Sequence, residues 1–256
     1  MKIDNRRGES APSAPERELA ARTRRAFLTL GVAAAAGYGG WEWLRTRPEE
    51  DGSARPFRRM LQFNERIAGK YYDESHLAPT FPAARVQKMR TNGDIGLGDD
   101  FDPGTWHLTV NHLTEPHQLR RLNLADIQAL PKREHITRLQ CIEGWSVVTH
   151  WAGTRFADFT AHFAPESARA RFVSLQTPDD GYFVGLDMPS AMHPQTLLCY
   201  EMNGAPLAME HGAPLRLFTP VKYGIKSIKR VGAISYTDKR PRDYWAEEGY
   251  DWYAGL

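Results

Sequence analysis

Cys141-Ile142-Glu143-Gly144-Trp145-Ser146 is the stretch from which the chain is best read. The apolar, strand-like run Ile136 to Cys141 leads into it, and Trp145 to Trp151 continues on the far side, so Glu143-Gly144 reads as a turn between two strands. A sulfur at the mouth of such a turn can be presented to a soft transition metal, whereas one thiolate is too few for a four-ligand zinc or iron–sulfur site. The alternative is a buried core cysteine, which the residue type also favours.

A second motif lies downstream. From His211 the chain runs His-Gly-Ala-Pro-Leu-Arg-Leu-Phe-Thr-Pro-Val-Lys-Tyr-Gly-Ile-Lys-Ser-Ile-Lys-Arg-Val. Its glycines and prolines dictate tight turns, and Arg216, Lys222, Lys226, Lys229 and Arg230 supply cationic donors. Guanidinium forks and closely approaching backbone N–H groups suit a phosphate-bearing ligand. A basic, solvated hairpin is the competing reading.

Three blocks, Arg138 to Ser146, Ala191-Met192-His193-Pro194 through Tyr200-Glu201-Met202-Asn203-Gly204, and His211 to Lys229, together resemble the sulfite oxidase superfamily of molybdopterin enzymes. Within it they are most similar to the exported bacterial branch that includes the catalytic subunit of periplasmic methionine sulfoxide reductase. The resemblance covers roughly residues 60 to 256. It implies an α+β molybdopterin-binding domain, with Cys141 as the thiolate ligand to molybdenum. It further implies that the phosphate of molybdopterin, in its simple monophosphate form, is held by His211, Arg216 and Ser227-Ile228-Lys229, helped by Thr177 and the loop Arg90-Thr91-Asn92-Gly93. His211 stands where sulfite oxidases have His and the methionine sulfoxide reductase branch has Asn. Tyr182 falls at the place of the active-site tyrosine, donating a hydrogen bond toward the metal centre, or is an ordinary strand tyrosine. Arg90 falls at the place of an active-site arginine that steers an anionic substrate or offsets the charge of a reduced centre. The early loop departs from the sulfoxide reductase branch, whose Asn-Asn-Phe-Tyr-Glu-Phe element is here Arg90-Thr91-Asn92-Gly93-Asp94, which leaves the substrate open between a sulfite-like anion and an S-oxide.

With 256 residues, 41% of them apolar and 25% charged, the chain is ordinary for a globular protein. A net charge of +2 gives no reason to expect a nucleic-acid partner. Thr23-Arg24-Arg25-Ala26-Phe27-Leu28-Thr29, followed by a mildly apolar Ala- and Gly-rich run to about Leu44, reads as a twin-arginine export signal behind a polar leader. The alternative is an amphipathic surface helix. Such signals carry proteins folded around a cofactor, so the expected location is the periplasm or an equivalent extracytoplasmic space; an uncleaved signal would leave an anchor. Residues 1–55 are accordingly assigned to leader, signal and linker, and residues 56–256 to the molybdopterin-binding oxidoreductase domain.

Of the two cysteines, Cys199 lies in the apolar run Thr196 to Tyr200 and reads as core, so no disulfide framework is expected. Helices are expected at Arg58 to Lys70, at Leu124 to Leu130 behind an Asn123 cap, at Arg155 to His162 and at Pro165 to Ala170. Strands are expected at Thr105 to Val110, at Leu215 to Phe218, at Ile228 to Tyr236 and, buried, at Phe172 to Leu175, with a helix-to-strand passage at Pro194 to Glu201 and an irregular segment at Pro79 to Gly104. The mixture lacks regular βα alternation and fits an α+β domain.

With no Cys-x-x-Cys-His for attached haem, electrons are expected to pass to or from a separate haem protein, in the membrane or soluble, and the chain is expected to act on a small molecule as a monomeric catalytic subunit. A cofactor-free binding or scaffold protein that kept the fold is the rival class. A hydrolase is disfavoured because neither Gly-x-Ser-x-Gly nor His-Glu-x-x-His occurs.

Overall fold

The computed structural model describes residues 14–98, 101–113 and 119–256. The leader expected ahead of the signal lies outside the described residues up to position 13, as do Asp99 and Asp100 of the irregular segment. The chain divides into two units, one comprising Met1–Glu49 with Ala54–Pro56, the other Glu50–Ser53 with Phe57–Leu256. The first unit carries one helix, α1 (Ala14–Arg45), which contains the Arg24-Arg25 pair and the Ala/Gly-rich run. Among the described residues no helix is long and apolar enough to cross a membrane.

Short strands β1 (Glu49–Glu50) and β2 (Ser53–Ala54) precede helix α2 (Arg55–Tyr71). Beyond it the second unit is an α+β domain built on two mixed-length sheets. The first is built from β5 (Lys132–Gln140), β6 (Ser146–Arg155), β9 (Leu197–Met202) and β10 (Ala205–Pro206) in the order β10-β9-β6-β5, with β11 (Arg216–Phe218) also paired to β9. The second has β3 (Leu108–Asn111), β4 (Arg120–Leu122), β7 (Phe172–Gln176), β8 (Phe183–Asp187) and β12 (Ala233–Thr237) in the order β4-β3-β12-β7-β8, with only the β3–β12 pair parallel. Short helices α3 (Leu124–Gln128), α4 (Phe156–Phe163), α5 (Met188–Ala191) and α6 (Tyr244–Glu247) connect them.

The decisive element is the β5–β6 hairpin. Its strands pair antiparallel from Lys132↔Thr154 to Gln140↔Ser146, and the turn closes through Cys141 N–H to the Trp145 carbonyl at 2.9 Å and Gly144 N–H to the Cys141 carbonyl at 3.1 Å. Gly144 sits at φ +89°, a left-handed conformation that costs glycine little, which is why the turn falls where Glu143-Gly144 places it. The hairpin is longer than its apolar stretch suggests because Lys132 to Glu134 are exposed strand residues with no apolar signal.

The largest core cluster includes Leu108, Val110, Ile127, Phe156, Phe159, Val173, Leu175, Leu186, Leu217 and Ile234. A second joins Met89, Leu139, Val147, Trp151, Leu197, Cys199 and Phe218. Cys199 is fully buried, and burial pushes its thiol up to about 12. In that second cluster Trp151 stacks on Phe218 with ring centroids 4.4 Å apart, and the Arg216 guanidinium lies 4.9 Å from the same indole centroid.

Several elements depart from the sequence expectation. The strand after Trp106 starts at Leu108, because Pro103-Gly104-Thr105 form a 3-10 turn capped by Asp102. The helix expected at Pro194 lies earlier, in α5, where Asp187 caps Ser190 N–H and Pro189 takes the first turn. The strand expected from Ile228 begins only at Ala233, since Arg230 has φ +48° and breaks the extended run. β7 alternates buried and half-buried residues and so covers the core with one face only.

Replacing Trp151 by Ala removes a fully buried indole together with the stack on Phe218 and the cation–π contact to Arg216. It is expected to lower unfolding free energy by about 3–5 kcal/mol, read as a drop in the urea midpoint at unchanged slope.

Candidate active site

The tip of the β5–β6 hairpin opens into a pocket. Met89, Arg90, Asn92 and Gly93 line it from one loop, and Leu139 with Cys141 to Glu143 and Trp145 from the hairpin. Tyr182, Arg216, Gly224, Ile225, Ser227 and Lys229 line it from the second motif and β8 side, and Ile95, Trp245 and Tyr250 complete it. The segments that sequence reading treats separately therefore meet at one place.

Cys141 is 8% exposed and burial raises its thiol above the usual range. Asn92 Nδ2 approaches its Sγ at 3.8 Å and also reaches Glu143 Oε2 at 3.5 Å, while the Trp145 indole N–H donates to Glu143 Oε2 at 2.9 Å. The exposed Arg90 guanidinium lies 5.4 Å from the centroid of the Trp145 ring.

Arg216 is the buried charge of the pocket, 2% exposed. Its Nη atoms donate to the carbonyls of His211 and Ser227, each at 3.0 Å, and its Nε has no partner. Burial brings its pKa down to about 10. Among the described residues no carboxylate forms an ion pair with it. His211 is buried too, with Nδ1 unpartnered, and burial together with Arg216 depresses its pKa. Gly212, at φ +95°, lets the backbone pass so close that a Cβ there would lie 2.6 Å from Lys229 Cβ. Lys229 Nζ donates to the Asn92 and Gly93 carbonyls, both at 2.8 Å, and so ties the early loop to the second motif. Burial, then the Arg216 charge, lowers its pKa from the ordinary 10.5 to about 8.

The expected site residues thus separate into two groups. Arg90, Asn92, Cys141, Tyr182, Arg216, Ser227 and Lys229 line one pocket. Thr91, Thr177, His211 and Ile228 do not line it. Thr91 is exposed on the outside of its loop. Thr177 is buried, donates to Asp179 Oδ1 at 2.6 Å and packs under Gly96. Ile228 belongs to the apolar core. His211 lies behind Arg216, touching it through its carbonyl. The Tyr182 hydroxyl does not point free into the pocket, because it donates to the Ile225 carbonyl at 2.6 Å. Burial raises its pKa, so that proton stays in place.

Nor is the second motif a solvated basic hairpin. Lys222, Lys226 and Arg230 are buried away from the pocket. Lys226 pairs with Asp243 at 2.5 Å, Lys222 lies 3.5 Å from Asp187 and over the Tyr253 ring, and the Arg230 guanidinium sits 4.1 Å from the centroid of Phe101. Sequence reading passed over Trp245 and Tyr250, although the aromatic density of Tyr244-Trp245 and Tyr250 to Tyr253 marks that stretch.

One thiol beside a buried guanidinium that lacks a counter-ion is the donor set of an anionic, phosphate-bearing metal cofactor. The orphaned Nε of the pocket-lining Arg216 is an atom that such an anion would satisfy, so the residues present fit the group.

Residues 96–245 match the family described as oxidoreductase molybdopterin binding domain, and the chain belongs to that family. It is 32% identical over 200 residues, 77% of this chain and 74% of the relative, to a candidate protein-methionine-sulfoxide reductase subunit, YedZ1, of Azospira oryzae. It is 39% identical over 133 residues, 46% of this chain, to the protein-methionine-sulfoxide reductase catalytic subunit MsrP of Xanthomonas campestris. To MsrP of Campylobacter jejuni it is 33% identical over 181 residues, 63% of this chain. It spans 41% of the Xanthomonas protein and 60% of the Campylobacter protein.

The pocket cation Lys229 has pH signatures of opposite sign for binding and stability. Lys229, at about 8 when folded and 10.5 ordinarily, loses its proton more readily in the folded state. The unfolded chain then binds more protons between those values, and the cofactor-free protein gains stability from this group as pH rises through that window. Binding of inorganic phosphate to the cofactor-free protein should weaken over the same rise, as the ammonium is lost. Calorimetric titration at stepped pH checks this, and Lys229→Met is expected to flatten the dependence near pH 8.

Proposed function

We propose that this chain is an exported molybdenum–molybdopterin oxidoreductase that reduces an S-oxide of a small molecule or a side chain and receives its electrons from a separate haem protein. The observation that carries the reading is the conjunction of the hairpin-tip thiol of Cys141 with the buried, carboxylate-free Arg216 in one pocket. When bound, the cofactor supplies two-electron oxygen-atom transfer, in which a sulfoxide, two electrons and two protons become a thioether and water.

The chain's own part is binding and electrostatics. Cys141 would give up its proton to ligate the metal, and burial, which holds the free thiol protonated, makes that step dependent on the metal's charge. Arg216 and Lys229 would hold the anionic end of the pterin, with the His211 carbonyl fixing the Arg216 guanidinium from behind. Arg90, at the exposed rim over Trp145, would orient the polar S–O group or a sulfite-like anion. The Tyr182 hydroxyl gives its proton to the Ile225 carbonyl and so has none free to donate toward the pocket.

The sulfoxide direction draws its support from the relatives' names, and the alternative of sulfite-like oxidation keeps the same residues in the same roles. Two cysteines and no Cys-x-x-Cys-His leave electron delivery to a partner. The Arg24-Arg25 signal, placed before a cofactor-binding domain, supports passage through the twin-arginine route to an extracytoplasmic space.

Protein purified from its native exported form should contain about one molybdenum and one pterin per chain by elemental analysis and pterin fluorescence, the single-site ratio that one thiolate ligand dictates. Cys141→Ala should lose the metal and all turnover of methionine sulfoxide while retaining the thermal melt. Folded wild-type protein without either component would move the assignment to a cofactor-free binding protein.

A further inference from the structure

Helix α2 is built inside out. Surface helices of globular proteins turn an apolar stripe to the core and charges to water. Here the buried residue of α2 is Arg58, whose guanidinium donates to the backbone carbonyls of Glu50, Asp51, Ala246 and Tyr250. Leu61 and Ala68 are half-buried on the same side as Arg58, but the other large apolar residues face out. Met60, Phe63, Ile67 and Tyr71 recur at helical spacing and are 59%, 50%, 40% and 80% exposed, and Phe57 extends the stripe. At about 100° per residue, Ile67 lies about 180° around the helix from Arg58, so the anchoring of one side fixes the exposure of the other. Isolated exposed apolar residues are ordinary, but a continuous stripe of them opposite a buried cation is a surface in want of a cover.

The charges beside the stripe say what covers it. Arg59, Arg66 and Lys70 are exposed, each one residue ahead of Met60, Ile67 and Tyr71. Arg66 leans over the Phe63 ring at 5.8 Å. The helix carries one acid, Glu65, and Arg240 neutralises it at 2.9 Å; Asp73 and Glu74 follow the helix rather than lie on it. An apolar stripe edged by cations, on a helix with no free acid, matches the chemistry of an interfacial helix on an anionic bilayer.

We infer that α2 seats the protein on the surface of a membrane rich in anionic phospholipid, with Met60, Phe63, Ile67 and Tyr71 entering the acyl boundary and Arg59, Arg66 and Lys70 meeting the headgroups. This inference stands on α2 alone and is independent of what the pocket binds. Through Arg58 the seated helix is bonded to the segment that carries the pocket residues Trp245 and Tyr250.

The test uses the full chain with an environment-sensitive fluorophore on Phe63→Cys, and separately on Ile67→Cys, with Gln128→Cys on α3 as an exposed reference off α2; the native thiols are buried. Vesicles are phosphatidylcholine alone or mixed with phosphatidylglycerol. The expected result is a blue shift and quencher protection at positions 63 and 67 on the mixed vesicles only, none at 128, and an affinity weaker by at least about tenfold in Arg59→Glu/Arg66→Glu at an unchanged melting temperature. Three results would each overturn the proposal. The first is a probe already shielded without lipid, which would mean that α1, a second copy or a protein partner covers the stripe. The second is an equal response on neutral vesicles. The third is vesicle binding that leaves both α2 probes in water.

Discussion

An unpaired buried guanidinium organises the functional end of this protein. Arg216 lies under the pocket, over the Trp151 indole, with two backbone carbonyls for partners and no carboxylate in an ion pair. Burying a cation without a counter-ion is costly, and stacking on an aromatic face with two carbonyl contacts offsets only part of that cost. The surrounding architecture follows from holding it there. β11 must lie against β9 to place it, and Gly212 must let the His211 backbone come within reach. Trp151 must be locked by Phe218. A buried cation with no carboxylate partner is best satisfied by an anion, and the pocket-lining Lys229 adds to the same field.

The other buried cations show the contrasting solution. Lys226 has Asp243 and Lys222 has Asp187, and both ammonium groups also lie against aromatic rings, Trp252 and Tyr253. Burial still depresses both, Lys222 to about 7. They serve the packing of the C-terminal segment, while Arg216, without an acid, is left available for a ligand.

That contrast also explains what could be read from sequence. The hairpin and its thiol were legible because a left-handed glycine and flanking apolar runs are local signals. So were the Asn123 cap, which forms a full capping box with Asp126, and the two glycine-containing loops that meet at the pocket. The fate of Lys222, Lys226 and Arg230 was not, because their partners Asp187, Asp243 and Phe101 are remote in sequence and a run of basic residues looks the same whether buried or solvated. Thr177 and Ile228 were assigned to the ligand through the family resemblance, yet Thr177 gives its hydroxyl proton to Asp179 and Ile228 packs into the core. Trp245 and Tyr250 lie in a segment that Arg58, far up the chain, grips through the Ala246 and Tyr250 carbonyls.

The pocket wall therefore draws on residues from Met89 to Tyr250, and its last piece is clamped by a helix that emerges from the ribosome before any of them. Neither the thiol hairpin nor the basic motif can enclose a ligand while the C-terminal aromatic segment is still being synthesised. Enclosure of a ligand in this pocket thereby waits until the chain has been made as far as Tyr250.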